Sequence, residues 1–83
     1  MDELSWNNFA KLCEFKFSEC TFKGELVDRC GGDEKLAAVI FYHTQKNALN
    51  WMDKSIPALG NKTPLKCVLT QQSKLKSVLI SIA

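Results

Sequence analysis

The side chains best equipped for chemistry are one histidine, His43, and four cysteines, Cys13, Cys20, Cys30 and Cys67. A zinc site needs these residue types in short, paired spacings; with no Cys-x-x-Cys and no second histidine, the set supports no metal centre. A lone imidazole among scattered acids is also a thin inventory for acid–base or nucleophilic catalysis, and His43 reads as a turn residue. The sequence contains no Walker loop, dinucleotide-binding glycine fingerprint, His-Glu-x-x-His or nucleophile elbow. Gly31-Gly32 stands alone before an apolar run, where it reads as a helix stop and not as a phosphate cradle. The expectation is a protein that binds another molecule and is not an enzyme, with no cofactor and no metal.

Charge gives the next lead. Of the 83 residues, 1–53 hold all nine acids and sum to minus three, whereas 54–83 hold Lys54, Lys62, Lys66, Lys74 and Lys76 with no acid at all. Such a segment suits an anionic partner surface, or else it is simply a solvated helix face. Nucleic acid ranks low as the partner, because the segment has no arginine and Arg makes the commonest specific base contact. The longest apolar run, Leu36 to Tyr42, is far short of a bilayer span of roughly 20 residues. The acidic start, Met1-Asp2-Glu3, does not resemble a signal peptide. A cytoplasmic protein with reduced cysteines, packed mostly as small apolar groups, is therefore expected.

The elements that must carry these residues are short and helical. Trp6, Phe9, Leu12, Cys13 and Phe17 recur at helical spacing and predict a first amphipathic helix, although Phe15-Lys16-Phe17-Ser18 alternates like a strand and leaves its end open. Thr21 is a candidate cap for a short helix through Leu26, Val27 and Cys30, ended by Gly31-Gly32. Asp33 is expected to cap the next helix, whose Leu36–Tyr42 stretch is apolar on every side and so marks the buried centre or a face met by another protein. His43 and Thr44 interrupt it, Thr44 serving as cap for a fourth helix with Ala48, Trp51 and Met52 on one face. Near the end, Leu75, Val78, Leu79 and Ile82 form an inward stripe and Ile80 projects from the polar side; a β-branched strand over 78–82 is the rival.

Between the last helices lies the most explicit local grammar in the chain. Pro57 pushes Ile56 out of the helical region, Gly60 accepts positive φ, Thr63 can cap with its hydroxyl and Pro64 fills the first helical position, where no N–H is needed. The loop is expected to be ordered. Beyond it, Leu65, Val68 and Leu69 are expected to turn inward. The whole reads as all-α: a small bundle of about five short helices with an ordered Pro/Gly loop, forming one domain over residues 1–83.

Ala48-Leu49-Asn50-Trp51-Met52, then Pro57-Ala58-Leu59-Gly60-Asn61-Lys62-Thr63-Pro64-Leu65, then Val78-Leu79 with Ile82 give an order that resembles the toxin-binding domain of Xre/MbcA/ParS-like bacterial antitoxins. That family carries an Ala-x-x-Trp-Leu helix and a Pro-x-x-Leu-Gly-Gly-x-x-Pro-Leu loop; here Met52 replaces the Leu and Asn61 the second Gly. The likeness covers residues 33–83, with 1–32 left as a helical N-terminal extension that shows no helix-turn-helix. It implies a bacterial or phage antitoxin-like module that inhibits a RES-type, NAD-consuming toxin by covering its active site. Trp51, Pro57, Leu59, Gly60, Pro64 and Leu65 would shape the motif. Asn61, Lys62, Lys66, Lys74, Lys76, Ser77, Ile80 and Ala83 are the candidate partner contacts. Readings left open are an adaptor or inhibitor of the same fold with another protein partner, a small nucleic-acid binder, and homodimerisation.

Overall fold

A computed structural model describes residues 3–81, in which six α-helices and two 3-10 turns follow one another with no strand among the described residues. The helices are α1 (Glu3–Phe17), α2 (Lys23–Arg29), α3 (Glu34–Thr44), α4 (Ala48–Met52, a single turn), α5 (Pro64–Thr70) and α6 (Gln72–Ser81). The small all-α bundle expected from the sequence is what forms; the strand alternative over 15–18 does not, nor does that over 78–82 within its described residues, 78–81.

α3 is the axis of the bundle. Asp33 caps it as expected, its carboxylate accepting from the Leu36 N–H at 3.1 Å, and Leu36 through Phe41 are buried without a break. An apolar helix surface of this kind must be covered on all sides, each large side chain so buried contributing about 1.5–3 kcal/mol. α1 makes the most extensive of those contacts. Fully buried alanines on both helices, Ala10 and Ala37 among them, keep side-chain bulk out of the way there. α2, α4 and α6 cover the remaining sides. Cys13, Cys30 and Cys67 are buried and all four thiols are free, so they pack as small apolar groups.

Several local expectations are corrected. Thr21 does not cap α2: the residue before the helix is Phe22, which offers no side-chain bond. Thr44 does not cap α4; it is still within α3 and its hydroxyl donates back to the Ile40 carbonyl. The chain instead leaves α3 through Gln45, at φ 53° and ψ −130°, a region L side chains rarely occupy. Leu12 and Leu69 were expected inside yet stand 76% and 80% exposed; Ala10 and Cys67 take the inner positions on their helices. Ile82, expected on the inner stripe of α6, lies outside the described residues.

Candidate functional site

The Pro/Gly loop is ordered, and its backbone closes on itself. The Ile56 carbonyl accepts from Leu59 at 2.9 Å and from Asn61 at 3.0 Å, while Ile56 N–H donates to the Lys62 carbonyl at 3.0 Å in an isolated antiparallel bridge. Pro57–Leu59 is a 3-10 turn between these bonds. Gly60 and Asn61 then both adopt left-handed backbone, at φ 68° and 61°. Those are the two residue types that tolerate this region best. Thr63 Oγ1 accepts from the Lys66 N–H at 3.2 Å and Pro64 occupies the first position of α5, as the sequence predicts.

Leu59 and Pro64 are fully buried and pin the loop to the core, with Trp51 and Leu65 half-buried against it; Pro57 and Gly60 are exposed. Leu59 and Pro64 anchor the loop, and Pro57 and Gly60 shape its backbone. The candidate contacts divide differently. Asn61, Lys66, Lys74 and Ser77 are exposed, and Lys62 is half-buried. Because α6 packs against both the 3-10 turn and α5, the loop and the last helix are neighbours.

Two expected contacts turn elsewhere. Ile80 is half-buried and packed on the core, so it is not the free apolar contact that a projection from the polar side implied. It lies one turn from Lys76, on the flank of α6 that faces α1. Lys76 itself is half-buried, its Nζ 5.2 Å from the centroid of the Trp6 ring, a cation–π contact across a cleft of about 240 Å³ lined also by Glu3 and Ser73. Ala83 lies outside the described residues.

The lysines of the basic segment form no ion pair among the described residues. Among the described residues, ion pairs join Lys16 to Glu19 and Arg29 to both Glu25 and Asp53; Lys54, Lys62, Lys66, Lys74 and Lys76 enter none. The asymmetry seen along the sequence therefore survives folding.

His43 is not a turn residue. It occupies the last turn of α3, its Nε2 donating to the Leu79 carbonyl at 2.9 Å, and so fastens α6 to the central helix. Its ring forms a triangle with those of Phe9 and Tyr42, with centroids 5.9 and 5.4 Å away and those two 6.0 Å apart. Burial pulls its pKa below the usual imidazole value of 6.5, with the Leu79 carbonyl acting in the opposite direction. Burial also pushes the Cys13 thiol up to about 11 and, with the Asp33 carboxylate adding to it, the Cys30 thiol up to about 12. Thiols held protonated in this way are poor nucleophiles. The His43 and Lys76 contacts escape sequence reasoning because each spans more than 30 positions and has no local signature.

The fold defines a small all-α bundle with an ordered loop and a lysine-bearing last helix. Compared with known protein families, curated proteins and solved structures, the chain matches none.

Proposed function

We propose that this domain is an antitoxin-like protein-binding module that binds a RES-type, NAD-consuming toxin and inhibits it by covering its active site, using the Pro/Gly loop and the exposed side of α6. The observation that carries the reading is the loop itself. The Asn61 substitution preserves the left-handed backbone that the second glycine of the resembling motif would supply, and the cap at Thr63 and Pro64 is intact. A pre-ordered loop loses little entropy on docking, which favours recognition. Lys62, Lys66 and Lys74, which enter no ion pair among the described residues, would add attraction for an acidic rim and speed encounter.

Co-expression with a RES-type toxin tests this. The expected result is restored growth and cellular NAD, with a complex that co-purifies and weakens when Lys62, Lys66 and Lys74 are changed together to Glu. No complex and no rescue with such a toxin would overturn the reading. So would recovery of nucleic acid instead, with an affinity falling steeply with salt.

A further inference from the structure

A cavity of about 360 Å³ opens at the C-terminal end of α3, and none of its lining residues is a candidate contact of the loop or α6. Phe22 and Phe41 form its apolar wall, their rings meeting near edge-on at 5.9 Å, and Lys16, Glu19, Gln45 and Lys46 stand round it. Gln45 holds φ 53° and ψ −130°, backbone that a side chain rarely adopts. Strain of this kind persists only where the surroundings over-determine it, and it collects at ligand clamps and switch segments. Two bonds do so here: the Gln45 N–H donates to the Phe41 carbonyl, and Nε2 donates to the Tyr42 carbonyl at 2.9 Å. With the Thr44 hydroxyl on the Ile40 carbonyl, they also occupy acceptors at this end of α3, which lessens the negative pole the helix turns toward the cavity.

The strained turn leads directly into Lys46, which enters no ion pair among the described residues, whereas Lys16 and Glu19 pair with each other at 3.6 Å. Two lysines against one glutamate leave the lining one net positive charge, set beside an aromatic wall.

We propose that this cavity is a binding site for a small aromatic carboxylate, its ring against Phe22 and Phe41 and its carboxylate on the Lys46 ammonium. The volume lies at the lower end of ligand pockets and holds a molecule of one or two rings. Phe22 and Phe41 offer that ring edge and face contacts, and a cation at the border of an apolar wall selects an anion over its uncharged counterpart. Because Lys16, Gln45 and Lys46 are exposed, the ligand stays partly in water and its dissociation constant is on the order of 1 mM. The site shares no residue with the surface proposed for a toxin, so each holds or fails alone.

Titration of the whole isotope-labelled chain with indole-3-carboxylate, and separately with indole-3-carboxamide, followed in amide correlation spectra, tests the proposal. Saturable shifts are expected at Phe22, Phe41, Gln45 and Lys46, with the acid bound about threefold tighter than the amide or better. K46A raises the acid's dissociation constant about threefold and leaves the amide's unchanged, since the exposed side chain supplies charge alone. Q45G, which relieves the strain, weakens both ligands about threefold while raising Tm, because the preorganised rim is lost. Absence of saturable shifts at these signals at about ten times the expected constant overturns the proposal. So do shifts spread evenly over the lysine-bearing surface, an amide bound as tightly as the acid, or K46A and Q45G proteins that bind as the wild type does.

Discussion

Replacing Gly60 and Gly24 by alanine, one at a time, should move stability in opposite directions. No heavy atom lies within 4 Å of the position a Cβ would take at either glycine, so packing contributes nothing to the comparison. Gly24 lies in the first turn of α2 with ordinary helical backbone. Alanine there restricts the unfolded chain and improves helix propensity, stabilising by about 0.5–1 kcal/mol. Gly60 sits at φ 68° and ψ 35°, where an L side chain costs about 1–2 kcal/mol. Set against the same unfolded-state gain of about 0.4–1 kcal/mol, the net is a destabilisation of about 1 kcal/mol. For a domain of this size that lowers Tm by about 4–8 °C, and Gly24→Ala should raise it by a comparable or smaller amount. Urea unfolding followed by circular dichroism, at constant m-value, gives both numbers. If Gly60→Ala equalled or exceeded the wild type, or the two variants moved together, the left-handed loop would be wrong.

Other expectations follow from single contacts. Gln45→Gly should stabilise by about 1 kcal/mol, measured in the same urea titration, because glycine accepts the backbone that glutamine holds at φ 53° and ψ −130°. Thr63→Ala should cost about 1 kcal/mol, since the Lys66 N–H loses its cap, and Thr63→Ser should restore most of it. His43 is harder to protonate in the folded chain than at its ordinary value of 6.5, so the unfolded state binds more protons below that pH. Stability should therefore fall as pH drops from 6.5 through the folded pKa and level off below it; H43Q should remove this part of the slope in melts across that window. Alkylation of the native protein at neutral pH should reach half-buried Cys20 first and spare Cys13, Cys30 and Cys67 until denaturant is added, read by peptide mass.

What the sequence made legible was local. The Asp33 cap, the Gly31-Gly32 stop, the left-handed Gly60 and the Thr63-Pro64 start each depend on a residue and its neighbours within about four positions, and each formed as the chemistry of those residue types dictates. The failed caps are instructive for the same reason. Thr21 and Thr44 are good capping types, yet Thr44 lies within α3 and bonds back to Ile40, and Thr21 stands one residue before the cap position, which Phe22 takes. Facing errors have a different origin. α1 carries Trp6, Phe9, Leu12, Cys13, Phe15 and Phe17, more apolar surface than one stripe can hold, so hydrophobicity alone cannot choose its inner side. Small Ala10, nearly silent in an apolar pattern, is fully buried against the core while Leu12 is left in water.

Long-range contacts determine what is left of the candidate surface. Lys76, equivalent to the other lysines in sequence, lies over Trp6, and Ile80, one turn along the same flank, packs on the core. The cations of the segment left with neither an ion pair nor a ring contact among the described residues are accordingly Lys54, Lys62, Lys66 and Lys74. Arg29 shows the contrast: it bridges Glu25 on its own helix and Asp53 just after α4, so its charge is spent holding the acidic part of the chain together. The lysines of residues 54–83 make no such bridge among the described residues, and like charges close in sequence repel one another. An anionic surface meeting them would relieve that repulsion.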